Sequence, residues 1–159
     1  MPDRATGAVS SATPPSPTSS GPRAARPRDG LGRFLADGEA GVAPVPQDLL
    51  LDSEQTLRRA QELIDADCPF QAHEVLEARW KTGPEAEREY WQGLAQAAVA
   101  LTHLRRGNPP GARALADRAA GHLAGLPAMP QGADTAAVCR QLADIRGGCD
   151  RGLRIAVTP

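Results

Sequence analysis

Aromatic residues are scarce in this sequence, whose 159 residues include only two Phe, two Trp and one Tyr. Phe34 alone lies before residue 47, in the part of the chain where prolines are concentrated. A chain with so few large apolar side chains can build only a small core, which must consist mainly of the Leu and Ala residues beyond residue 47. The composition therefore predicts one folded domain, residues 47–150, preceded by a segment that cannot fold alone.

The three cysteines, Cys68, Cys139 and Cys149, are odd in number and form no Cys-x-x-Cys pair. This argues against a disulfide framework or a thiolate zinc site and favours a reducing compartment. The longest apolar run, Ala97–Leu101, is far shorter than the roughly 20 residues that cross a bilayer. Residues 1–20 lack the apolar stretch of a secretory signal. We therefore expect a cytoplasmic protein without a membrane partner.

Excess charge of either sign is absent as well. The chain has 18 Lys and Arg against 19 Asp and Glu, a formal net charge of −1. A nucleic-acid-binding surface needs a clearly basic patch or stripe, and this balance provides none. We therefore expect no nucleic-acid partner.

Outside the domain, the chain divides by composition into three segments. Residues 1–28 are rich in Ser, Thr, Pro and Gly, which bury too little apolar surface to offset the entropy of ordering, so we expect a disordered leader. Residues 29–46 alternate Gly, Pro and single apolar residues, which predicts an extended strap that packs on the domain through Leu31, Phe34 and Leu35. Residues 151–159 form a C-terminal tail.

The domain itself has a helical pattern, which predicts an all-α fold: a compact bundle of about five helices built from antiparallel hairpins. The predicted helices cover about 53–66, 69–81, 82–106, 109–125 and 134–147. Asp52 with Gln55 resembles a capping box for the first helix, and Thr82 with Glu85 resembles a capping box for the third. Asp134 is the predicted cap of the fifth helix. Residues 67–77 and 107–117 align at an offset of forty residues. Two copies are too few for a solenoid, so the similarity indicates two helical hairpins with the same turn chemistry.

Polar side chains lie on faces that the periodicity predicts to be buried. On the second helix, Phe70, His73, Leu76, Glu77 and Trp80 fall within about 120° of arc at 100° per residue. A buried Glu77 without a partner would cost several kcal/mol, so it must pair, stay protonated or bind a cation.

The third helix offers partners for these groups. Gln92, Gln96 and His103 form a narrow polar stripe, flanked by small residues that would let another helix approach closely. Together the two helices predict one cluster, whose members can satisfy one another by hydrogen bonds: His73, Glu77, Gln92, Gln96 and His103.

These residues also carry a family resemblance. The segments PFQAHEVLEARW and YWQGLAQAAVALTHLRRGNPPGARAL contain an HExxExxW helix, a QGLxQ helix and a GNxxGA turn. Over roughly residues 47–125 the chain resembles the bacterial family known as domain of unknown function 309, and RPRDGLGR (26–33) is similar to the N-terminal segment of actinobacterial members. The resemblance implies a compact all-helical domain without an established activity. It emphasises these positions: His73, Glu74, Glu77, Trp80, Gln92, Gly93, Gln96, His103, Gly107, Asn108, Gly111 and Ala112.

Three functions are compatible with these observations. The first is a protein-interaction or scaffold module in which the polar cluster is structural and no cofactor is needed. The second is a divalent-metal protein or metal-dependent enzyme with His73, Glu77 and His103 as ligands and Glu74 as a base, although the second His of an HExxH zinc motif is missing. The third is a small-ligand pocket with walls of Trp80 and Trp91, which are otherwise core residues, and with the side chains of Gln92 and Gln96 as its fixed polar groups. We favour the first, a non-enzymatic role, because buried polar networks are commoner as packing devices than as active sites. The sequence also has no nucleophile with a base and no phosphate-binding Gly loop.

Overall fold

A computed structural model describes residues 26–127, 129 and 132–156. This part of the chain forms an all-α bundle of five α-helices, which confirms the predicted fold class. In chain order they are α1 (Ser53–Asp65), α2 (Pro69–Thr82), α3 (Arg88–Arg105), α4 (Pro109–Leu123) and α5 (Thr135–Arg146), with a 3₁₀ turn at Glu85–Glu87. None of these helices is both long and apolar enough to span a bilayer. The predicted disordered leader lies outside the described residues, apart from its last three positions.

Side-chain caps begin three of the helices. The capping box predicted for α1 is present, since Asp52 Oδ1 accepts from the Gln55 amide at 2.8 Å and Gln55 Oε1 accepts from the Asp52 amide at 3.1 Å. Asn108 and Asp134 cap α4 and α5 by accepting from amides in the first turn.

The predicted start of α3 is wrong. Thr82 is the last residue of α2, and its hydroxyl donates to the Ala78 carbonyl at 2.9 Å instead of capping the next helix. The extended backbone of Gly83 ends α2, and α3 begins only at Arg88, after the 3₁₀ turn. The sequence pattern misassigned Thr82 because a hydroxyl can bond back to a helix carbonyl as readily as forward to a free amide.

Consecutive helices pack against one another, and α3 contacts α2, α4 and α5. α3 is the central helix of the bundle, because residues along most of its length are buried and it contacts three other helices. Small side chains allow this close packing: a Cβ added to Gly93 would lie 2.7 Å from Cγ of Leu123 on α4.

The two aligned turns have the same backbone structure. Asp67 and Gly107 both have positive φ, at 58° and 73°, and the next amide in each case bonds to a carbonyl five residues earlier. Pro69 and Pro109 then begin α2 and α4, where a missing amide has no helical partner. Shared turn chemistry accounts for the internal similarity.

The strap (residues 29–46) docks on the first turn of α2. The Phe70 amide donates to the Gly30 carbonyl at 3.2 Å, and Gln71 Nε2 donates to the Asp29 carbonyl at 3.0 Å. The expectation that Phe34 packs on the domain core is wrong: 56% of it is exposed, and the Arg28 guanidinium covers its ring with the carbon 3.8 Å from the centroid.

Candidate functional site

The face of α2 that meets the core differs from the predicted one. Its buried residues are Pro69, Gln71, Ala72, Val75 and Leu76. Of the face predicted to be buried, only Leu76 is fully covered, while its other members are half-buried: Phe70, His73, Glu77 and Trp80.

The buried face of α2 differs from the predicted one because some polar residues of α2 point inward and bond to other parts of the fold. Gln71 is 2% exposed and bonds to the strap. Arg79 Nη2 lies 3.1 Å from Glu87 Oε2 and 3.1 Å from Ser53 Oγ, which ties α2 to the starts of α3 and α1. A helical wheel places such residues outside because it counts only apolar character, whereas a satisfied polar group is compatible with burial.

The half-buried face of α2 carries a row of charges spaced four residues apart. Glu77 Oε2 lies 3.5 Å from His73 Nε2, and Glu77 Oε1 lies 2.9 Å from Lys81 Nζ. Burial lowers the pKa of His73 below its ordinary value, against the opposing effect of the Glu77 carboxylate. His73 is therefore neutral at pH 7, and the charge of Glu77 is balanced by Lys81.

Glu74 lies beside this row, in a shallow groove of about 380 Å³ between α2 and the strap. Burial raises the pKa of its carboxyl, and the nearby Arg28 guanidinium partly offsets that effect. The groove is lined by these residues: Val45, Pro46, Gln47, Glu74, Glu77, Ala78 and Lys81.

An arginine between two aromatic rings holds the strap beside Glu74. The Arg28 guanidinium carbon lies 3.8 Å from the Phe34 centroid and 5.5 Å from that of Phe70, and Nη1 donates to the Gly32 carbonyl at 2.7 Å. Sequence reasoning placed Arg28 in the leader and missed this role. The two glycines of the adjoining DGLGR sequence are the one feature of the sequence that indicates a close approach of the strap backbone to another element.

The polar stripe of α3 makes separate contacts. Gln92 and Gln96 are half-buried, and His103 is bonded to Asn108 near the end of the helix. Across residues 26–127, no hydrogen bond or ion pair joins His73 or Glu77 to this stripe. The single hydrogen-bonded cluster expected from the sequence is thus not observed.

His103 instead belongs to the turn between α3 and α4. Asn108 Oδ1 accepts from the Gly111 amide at 3.1 Å, so its Nδ2 faces His103 Nδ1 at 2.8 Å as a donor. His103 Nδ1 is therefore the acceptor, and the proton of the neutral ring is on Nε2. A Cβ at Gly111 would lie 2.6 Å from both His103 Nδ1 and Asn108 Nδ2, which explains the glycine in the GNxxGA turn.

The two tryptophans differ in environment. Trp91 is 1% exposed, and its Nε1 donates to Glu87 Oε2 at 2.8 Å. Trp80 is only partly buried against the core. Trp91 therefore belongs to the core and cannot form the wall of an accessible pocket.

The residues proposed as metal ligands are not assembled in the described part of the chain. Within residues 26–127, 129 and 132–156, no group of three or more His, Cys, Asp or Glu side chains is arranged to hold a metal ion. Of the proposed set, His73 and Glu77 are adjacent, whereas His103 is engaged with Asn108.

Comparisons with known proteins agree with the motifs on α2, α3 and the turn that follows. The profile of the family described as Domain of unknown function (DUF309) matches residues 57–115. A stretch of 47 residues, 29% of this chain, is 51% identical to the "Uncharacterized protein YpuF" of Bacillus subtilis (strain 168), of which it covers 27%. No solved structure matches the chain. Residues 57–115 thus match the DUF309 family model, the family that the motifs on α2, α3 and the following turn resemble.

Proposed function

We propose that the domain is a protein-interaction module that binds an apolar segment of a partner protein in a groove between the strap side of the chain and α1. This strap groove has a volume of about 490 Å³. Residues 42–46 with Leu49 and Leu51 form one wall, α1 forms the other, and Leu63 and Val75 close its base. The observation that carries the proposal is this open groove, which has an apolar strap-side wall opposite a mainly polar and charged wall on α1.

The apolar side chains of the groove are only partly covered by the protein itself. Val45, Leu49 and Leu51 line the groove and pack only partly buried against the core. Fully burying one such leucine contributes about 1.5–3 kcal/mol, so a bound segment that covers this wall would be substantially stabilised.

Charges on α1 indicate which sequences fit. Arg58 and Arg59 lie at the rim, each in an exposed pair with a glutamate of the same helix, at 3.8 Å and 3.1 Å. Exposed pairs of this kind contribute about 0–1 kcal/mol, so a carboxylate of the partner can replace the intrahelical one at little cost. The groove therefore suits an apolar segment flanked by Asp or Glu.

Selection from a random peptide library displayed on phage, against the full chain, tests this function. We expect enriched peptides to combine apolar residues with flanking acids, and Ala43→Asp with Arg59→Glu, both at exposed residues that line the groove, to weaken binding about tenfold or more. Phe34→Ser is the matched control, because Phe34 is also exposed on the strap but does not line the groove. Peptides without that pattern, or equal losses in both proteins, would refute the proposal.

A further inference from the structure

A second groove, between α1 and α5, is filled by an extended stretch of the chain, residues 153–156, called the docked segment. The residues between α5 and this segment, 147–152, are called the hinge. Leu153 and Ile155 are each 1% exposed, whereas Arg154 between them is exposed. This alternation is that of an extended strand with one buried face. The groove thus accepts two apolar side chains two residues apart.

Two glutamine side chains bind the backbone of the docked segment. Gln61 on α1, itself 8% exposed, donates from Nε2 to the Leu153 carbonyl at 3.1 Å and accepts at Oε1 from the Ile155 amide at 2.8 Å. Gln141 on α5 contacts the amide and the carbonyl of Arg154. A primary amide can pair with an extended backbone in this way because it offers one donor and one acceptor side by side.

The hinge before the segment is held by its own backbone and by one ion-pair contact. Gly148 and Gly152 have φ of 82° and 83°, and no atom lies within 4 Å of a Cβ added at either position. Asp150 Oδ2 accepts from Arg105 Nε at 2.8 Å. The conformation in which the segment docks on its own chain, here called closed, thus requires two glycines with left-handed backbone. Nothing packs against either glycine where a side chain would lie.

We propose that the docked segment exchanges between copies of this chain, so that residues 153–156 of one copy occupy the α1–α5 groove of another and the exchange is reciprocal. A second copy reproduces every contact with Gln61, Gln141 and the core, so the exchange loses none of them. An unrelated peptide would have to displace the chain's own segment from the groove, and that segment is tethered at high local concentration. Exchange of an identical element is a low-cost route to a symmetric dimer, and a glycine hinge allows it.

Mixing two full-length variants tests the exchange. The first, Leu153→Asp with Ile155→Asp, has an intact groove and a segment that cannot dock. The second, Gln61→Glu with Gln141→Glu, has an intact segment and a groove whose carboxylates repel backbone carbonyls. We expect each variant alone to be monomeric in native mass spectrometry and the mixture to contain a 1:1 dimer. A mixture that stays monomeric while both variants keep their helical circular dichroism would overturn the proposal.

A hinge variant decides the matter should either of those proteins fail to fold. Gly148→Val with Gly152→Val keeps segment and groove intact but disfavours the closed hinge, because a β-branched residue rarely adopts positive φ. We expect its dimer fraction to exceed that of the wild type by about tenfold. Gly125→Val is the matched control, since Gly125 also has positive φ (76°) and open space but lies between α4 and α5. A monomeric hinge variant, or an equally dimeric control, would contradict the exchange.

Discussion

The amide of Phe70 in the first turn of α2 donates to the carbonyl of Gly30, 3.2 Å away on the strap. Cys68, at the N-cap position, makes no side-chain cap, so the strap supplies an acceptor that the helix start lacks. Gln71 strengthens the same junction through the Asp29 carbonyl. The strap is thus an integral part of the folded domain, and it forms one wall of the groove proposed to bind a partner.

Gly32→Val should release the strap from α2. Gly32 has a φ of 75°, and a Cβ there would overlap the ring of Phe70. We expect a loss of about 1–3 kcal/mol in denaturant unfolding, together with faster amide exchange in residues 29–46. Gly38→Val is the control, because Gly38 has a φ of 94° but no neighbour within 4 Å. Equal losses in the two variants would show that backbone strain alone, and not contact with Phe70, is responsible.

The same substitution at two glutamates should have unequal effects. Glu87→Ala removes the acceptor of both Trp91 Nε1 and Arg79, at 2.8 and 3.1 Å, and should cost about 2–3 kcal/mol. Glu77→Ala breaks only half-exposed pairs on one helix and should cost about 0–1 kcal/mol, in contrast to the buried role that the sequence suggested. Chemical denaturation of the two variants measures both values, and a larger loss at Glu77 would contradict the described packing of α2.

The two tryptophans provide a similar comparison. Trp91→Ala empties a site that is 1% exposed and should cost about 3–5 kcal/mol. Trp80→Ala should cost less than about 2 kcal/mol, because Trp80 is only partly buried. Thermal and denaturant melts of both variants measure the two losses of stability. A larger loss for Trp80→Ala than for Trp91→Ala would contradict the prediction.

His73 should make stability depend on pH. Its pKa in the fold lies below the ordinary value of 6.5, chiefly because of burial, so the unfolded chain binds a proton more readily. Stability is therefore greatest above about pH 6.5 and is lost as the pH falls from there through the folded pKa. The raised pKa of Glu74 acts in the opposite direction but is common to both proteins compared. Unfolding free energies between about pH 7.5 and 5.5 should fall less steeply for His73→Gln than for the wild type; parallel curves would contradict burial of the ring.

Much of the fold could be predicted from the sequence because local chemistry decides it. Asp52, Asn108 and Asp134 cap helices with contacts that span three residues, and prolines mark the starts of α2 and α4. Thr82 misled because the same hydroxyl has two local partners, and only the position of Gly83 decides between them.

The site could not be predicted to the same extent, because it depends on contacts between distant parts of the chain. Gln71 is buried because its side chain donates a hydrogen bond to a strap carbonyl 42 residues earlier in the chain. Gln61 is buried because its side chain bonds to backbone groups more than 90 residues later. Neither partner has a pattern that periodicity detects. The inward face of α2 was therefore misassigned, and the role of Gln61 was missed.

Photo-crosslinking within the strap groove tests the central proposal most directly. A photoreactive phenylalanine analogue at position 43 of the full chain, which lines the groove, should give a discrete adduct in cells that produce the protein. The adduct should join it to an apolar, acid-flanked segment of one partner, identified by mass spectrometry of the joined peptides. Arg59→Glu should reduce that adduct, whereas the same analogue at Phe34, exposed outside the groove, should not form it. No adduct at position 43, or the same adducts at both positions, would contradict a partner-binding role for the groove.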